Sequence, residues 1–144
     1  MRTPSDLVGA IPHRPPWLLV DRVIAVDGAP PCAVRAEKRL TQGDPLLGSD
    51  GELGETLVIE ALAQTAACLN AASDASGRPH TGMLVAATGF QFEGPRARAG
   101  DLVALEARRT ASLGALHRFA CEARVDGRLI ARGDLSFAVT TAPG

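Results

Sequence analysis

The chain has 144 residues, 46% of them hydrophobic and 22% charged, with a formal net charge of −1. That length suits one domain with a substantial core, so a single domain over residues 1–144 is expected. The balanced charge leaves no electrostatic footprint for nucleic acid. Neither an apolar leader after Met1-Arg2-Thr3-Pro4 nor a run long enough to cross a bilayer is present, so a cytoplasmic protein without membrane association is expected.

In Pro12-His13-Arg14-Pro15-Pro16 each proline fixes its own φ and pushes the preceding residue out of the helical region, which predicts a rigid extended segment. A strand is predicted over residues 17–26, a turn at Asp27-Gly28, and an antiparallel partner strand over residues 32–40. Residues 41–54 carry Gly43, Gly48, Gly51 and Gly54 with Asp44 and Asp50, a loop composition. The run from Leu57 through Leu69 is apolar nearly all round, as in a helix enclosed by the rest of the molecule, and it extends to about Asn70 or Ser73 before Ser76-Gly77-Arg78-Pro79 stops it. Strands are then predicted over residues 83–88, 102–109, 117–125 and 129–139. Gly100-Asp101 provides a turn, and Asp126-Gly127 is the strongest hairpin signal in the chain.

Within the apolar helix, Glu60 and Gln64 lie one turn apart on the same face. An unpaired buried carboxylate costs several kcal/mol, of order ~5. Glu60 therefore needs partners, a shifted pKa or a solvent-filled tunnel, and this makes it a functional-site candidate. The three cysteines, Cys32, Cys68 and Cys121, form no CxxC pair and are expected to be reduced and structural. Asp44, Asp50 and Glu52 share a loop but lack histidine at ligand spacing, so neither a metal nor another cofactor is expected.

The order of motifs resembles a known family over nearly the whole chain. Ile11-Pro12-His13-Arg14-Pro15-Pro16-Trp17-Leu18-Leu19-Val20-Asp21-Arg22-Val23 resembles the opening of bacterial 3-hydroxyacyl-(acyl carrier protein) dehydratases. Leu57-Val58-Ile59-Glu60-Ala61-Leu62-Ala63-Gln64 resembles their central helix, residues 92–101 a strand and turn, and residues 125–138 the closing hairpin. The resemblance implies an α+β hotdog fold, a curved antiparallel β-sheet wrapped around one long central helix. It also implies a dimer with active sites at the subunit interface. The family eliminates water from a 3-hydroxyacyl thioester with a loop histidine and a helix carboxylate, and Glu60 matches the carboxylate. The histidine is missing here, since the loop before the helix reads Pro45-Leu46-Leu47-Gly48-Ser49-Asp50-Gly51-Glu52-Leu53-Gly54-Glu55. The shortened loop, the Ala63-Gln64-Thr65 after the glutamate and the Thr81-Gly82-Met83-Leu84 strand are most similar to divergent dehydratase-like proteins of aryl polyene biosynthesis.

On that resemblance, Glu60 carries the chemistry. Gln64 supports it or a bound thioester, unless it only satisfies a buried polar contact. His80, in the loop after the helix, is the candidate replacement base, whereas His13 matches a position that anchors its segment through hydrogen bonds and His117 is expected on a sheet face. Gly54, Glu55 and Thr56 at the helix start, with Gly82, are the candidate thioester-binding positions, because helix-start N–H groups can polarise a carbonyl as charge develops. Arg96 and Arg98 are candidates for docking an acidic acyl carrier protein, with a solvated strand face as the alternative. The expected substrate is an acyl carrier protein or CoA thioester, and the expected partner is a second copy or a related dehydratase subunit. Two other functions remain open: a hotdog thioesterase in which Glu60 works alone, and a non-catalytic subunit that supports a catalytic relative.

Overall fold

The structure, a computed structural model, describes residues 4–28, 32–72 and 80–141. Helix α1 spans Pro4–Ala10, strands β1 and β2 Arg22–Asp27 and Ala33–Arg39, and the long helix α2 Glu55–Ala72. Four strands follow: β3 over His80–Phe92, β4 over Leu102–Leu113, β5 over Leu116–Val125 and β6 over Arg128–Thr141. They form one six-stranded sheet in the order β1-β2-β4-β5-β6-β3, antiparallel at every pairing. Register shifts interrupt β1 at Val23/Ala25, β3 at Leu84/Ala86 and Thr88/Gln91, β4 at Arg109/Ala111 and β6 at Ile130, opposite Ala123/Arg124 of β5. Each bulge bends its strand and adds twist, which curves the sheet around α2.

Period-two alternation places Val34 and Ala36 of β2, Leu105 and Ala107 of β4, Phe119 and Cys121 of β5 and Leu135 and Phe137 of β6 on the inner face, all buried. Against them α2 buries Val58, Ala61, Leu62, Thr65, Ala66, Cys68 and Leu69. A Cβ on Gly133 would come within 2.5 Å of the Phe90 ring, so only glycine lets Phe90 lie flat against β6. Edge strand β3 pairs with β6 alone, and Met83 and Val85 are 66% and 51% exposed on it.

The predicted hairpin is present, with Val125 opposite Arg128 and positive φ at both Asp126 (51°) and Gly127 (76°), as a two-residue type I′ turn requires. Strands β1 and β2 form the expected antiparallel pair, although residues 29–31 lie outside the described residues. The helix stop assigned to residues 76–79 likewise lies outside them.

Two expectations need correction, and one element lies beyond them. The first strand begins at Arg22, not at residue 17, because the prolines hold the chain off the sheet and the backbone of residues 17–19 finds its partner in a side chain of α2. Strand β3 is far longer than residues 83–88, because its pairing with β6 continues through two bulges from His80 to Phe92. Helix α1 is not foreseen; Leu7 anchors it, fully buried, with the Cys68 Sγ 3.8 Å from the Leu7 carbonyl oxygen.

All three cysteines are free. Burial pushes the Cys68 thiol up to about 12, and burial followed by the charge of Asp134 does the same to Cys121. In the folded protein a thiol reagent is therefore expected to modify the half-buried Cys32 first, and Cys68 and Cys121 only after unfolding. Titration without reductant should count one fast and two slow thiols; a disulfide, or equal reactivity at all three, would overturn this.

Candidate functional site

Gly54 stands at the N-cap of α2, its carbonyl accepting from the N–H groups of Leu57 and Val58 at 3.1 Å each. The first turn carries Glu55, whose charge suits the positive end of the helix. Loop 41–54 is fixed beneath it by a bridge between Glu52 and Arg98 and by the Leu53 N–H donating to the Ala97 carbonyl at 2.8 Å. Leu53 and Ala97 are buried, so the helix start is anchored in the core. Arg96 and Arg98 flank this start, with Arg96 Nη2 3.6 Å from Glu55 Oε1 and Arg98 Nη2 3.5 Å from Glu52 Oε1. The Arg96 and Arg98 side chains stay about half exposed or more, at 49% and 60%.

Thr56, Glu60 and Gln64 succeed one another along one face of α2 at four-residue spacing. Gln64 is 1% exposed, and both ends of its amide are engaged. Its Oε1 accepts from the Leu19 N–H at 2.7 Å, and its Nε2 donates to the Trp17 carbonyl at 2.9 Å and to Glu60 Oε1 at 3.1 Å. A buried side chain thus takes the place of a neighbouring strand for residues 17–19 and orients the carboxylate in the same stroke.

The second partner of Glu60 is a histidine that the sequence reading treats as an anchor. His13 Nε2 lies 3.4 Å from Glu60 Oε1, with the two side chains 33% and 41% exposed. Its other ring nitrogen, Nδ1, is buried without a hydrogen-bond partner among the described residues. The contact with Glu60 ties its segment to α2, and Gln64 and the neighbouring Arg14 hold the same segment, the Arg14 guanidinium donating to the carbonyls of Ile11 (2.7 Å), His13 (2.6 Å) and Gly9 (3.4 Å). The result is a carboxylate and an imidazole side by side, reachable from solvent, with the unpaired first-turn N–H groups of α2 one helical turn away.

The remaining candidates sit elsewhere. His80 opens β3, its backbone paired with Thr141; its side chain lies outside what is described. Gly82 lies beside Asn70 near the far end of α2, where an added Cβ would be 3.9 Å from the Asn70 amide nitrogen. Ten residues of helix, about 15 Å, separate that point from Glu60. His117 Nδ1 hydrogen-bonds the Ser112 hydroxyl at 2.8 Å across the β4–β5 hairpin, on the sheet as expected. Among the described residues no group of three His, Cys, Asp or Glu side chains is placed to hold a metal ion, and no helix is long and apolar enough to cross a membrane. A shallow depression lined by Thr88, Arg132, Gly133 and Asp134 includes no residue of α2.

A curved six-stranded antiparallel sheet around one long helix, with a carboxylate on that helix, defines a hotdog-fold protein. Solved structures agree on the fold. The dehydratase heterocomplex ApeI:P from Xenorhabdus doucetiae superposes with a TM-score of 0.77 at 19% identity, over 99% of this chain and 93% of that one. Zebra fish thioesterase superfamily member 2 follows at 0.68 and 16%, over 91% and 89%. The sequence model for ApeP-like proteins, described as ApeP dehydratase, matches residues 5–142, so the chain belongs to the ApeP-like dehydratase family. It is also 32% identical over 141 residues to the 3-hydroxyacyl-(acyl carrier protein) dehydratase FabZ of Polynucleobacter necessarius, covering 95% of this chain and 92% of the relative. The FabZ of Listeria welshimeri is 32% identical over 139 residues, 92% of each chain.

Proposed function

We propose that this chain dehydrates 3-hydroxyacyl thioesters, with Glu60 and His13 as its proton-transfer pair. The observation that carries the reading is the His13–Glu60 contact at 3.4 Å, held from behind by Gln64. Elimination of water needs a base for the α-proton and an acid for the departing hydroxyl. With one proton shared between them, neutral His13 accepts the α-proton while protonated Glu60 delivers its own to the 3-hydroxyl, which leaves as water. The α,β double bond forms, and the imidazolium and carboxylate left behind restore the starting state by passing one proton across their contact. The free N–H groups of Glu55 and Thr56, beside Gly54, polarise the thioester carbonyl while negative charge builds on it.

Arg96 and Arg98 flank that helix start with exposed guanidinium surface, and an acidic acyl carrier protein meets them there; a CoA thioester is the smaller alternative. A second hotdog subunit pairs with edge strand β3, covering Met83, Val85 and Gly82 and closing the open side of Glu60. The heterocomplex among the structural neighbours supports a related dehydratase subunit in that place, with a second copy of this chain as the alternative. The setting is cytoplasmic.

The test is product analysis: the purified chain, alone and mixed with a related dehydratase subunit, is incubated with a 3-hydroxyacyl thioester. Enoyl thioester is expected, in higher yield from the mixture. Free acid instead would make the protein a thioesterase, and no conversion in either arm would make it a non-catalytic subunit.

A further inference from the structure

We propose that Arg14 is a positioning residue for the pair His13 and Glu60, a proposal that rests on their role in proton transfer. Helix α1 has only seven residues and no basic residue in its last turn, so its closing carbonyls need an outside donor. Arg14 supplies one by folding back onto the carbonyl of Gly9 and onto that of Ile11 just past the helix end. The same guanidinium binds the His13 carbonyl at 2.6 Å, so one planar, charged group ties the end of α1 to the residue that faces the carboxylate.

Among the described residues the His13 Nδ1 has no hydrogen-bond partner and its Nε2 faces Glu60, so no other polar contact fixes the ring and its place depends on the backbone of residues 11–14. That backbone is fixed behind His13 by Arg14 and ahead of it by Gln64 at Trp17 and Leu19. Arg14 itself is exposed, and its guanidinium is engaged with the carbonyls of Gly9, Ile11 and His13. It acts through where it puts His13.

With three histidines in the chain, the His13 ring signals are assigned in a nitrogen-detected NMR spectrum by a single His13→Gln control. In the otherwise unaltered chain, Glu60→Gln is expected to move the His13 Nε2 signal; in Arg14→Ala the same substitution should leave it in place. Arg14→Lys, a point charge that reaches fewer carbonyls, should show a reduced response, and it carries the test if Arg14→Ala does not fold. A response of full size in either background overturns the proposal. In the dehydration assay, on the complex if that is the active form, Arg14→Ala should lower kcat by up to ~10²-fold with KM unchanged, as a misplacement of about 1 Å does. Added methylguanidine should restore part of the loss. If the spectra behave as expected but no thioester is dehydrated, the positioning role stands and the assigned reaction falls.

Discussion

Glu60→Gln should lose turnover by ~10²–10⁴-fold, the range for removal of a general acid or base, with the fold intact. The substitution keeps the shape of the side chain and its hydrogen bonding toward Gln64, but an amide neither gives up a proton to a leaving hydroxyl nor receives one from His13. Because glutamine is nearly the size of glutamate and the side chain is 41% exposed in the single chain, the change in packing is small. The measurement is kcat for enoyl formation in the complex that dehydrates, beside a denaturation midpoint that should stay put. His13→Gln should fall by a comparable amount, and the double variant by little more than either alone, since the two groups pass one proton between them. Unchanged turnover in Glu60→Gln would remove the carboxylate from the mechanism altogether.

Phe119→Ala should cost about 3–5 kcal/mol of folding free energy, the usual range for truncating a fully buried aromatic. Phe119 is 0% exposed on the inner face of β5. Its ring meets Phe137 edge to face at 5.6 Å, and the Arg109 guanidinium stands 5.7 Å above it. Truncation empties a site bounded by sheet and helix backbone, which cannot collapse to fill it, and removes the cation's aromatic partner as well. For a domain whose total stability is typically about 5–15 kcal/mol, this is a large fraction. Urea unfolding should show the midpoint falling with little change in slope. Leu113→Ala, at a position 80% exposed, should stay within about 0.5 kcal/mol of the starting protein. Equal effects from the two substitutions would mean that the inner face of β5 is not the core.

Much of this molecule is legible from local pattern alone. The Asp126-Gly127 hairpin follows from two residues that tolerate positive φ between alternating strands, and the register of β5 against β6 follows from that turn. The span of α2, and the shared face of Glu60 and Gln64, follow from helical spacing, which depends only on neighbours three and four residues away. The tertiary structure decided what those residues meet. His13 is 47 residues before Glu60 in the chain, and nothing in its own surroundings says that α1 will dock on α2 and carry it there. The family resemblance suggests an anchor; Arg14 and Gln64 hold the same segment, and the ring itself faces the carboxylate. A partnered histidine and a solvated one look alike in a sequence, because the partner is set by packing and not by spacing. The start of β1 at Arg22 has the same origin: residues 17–19 have strand-like composition, but their backbone bonds to the Gln64 side chain where a strand neighbour was expected. Residue type and period determined the elements and the carboxylate; the docking of one short helix on one long one determined the site.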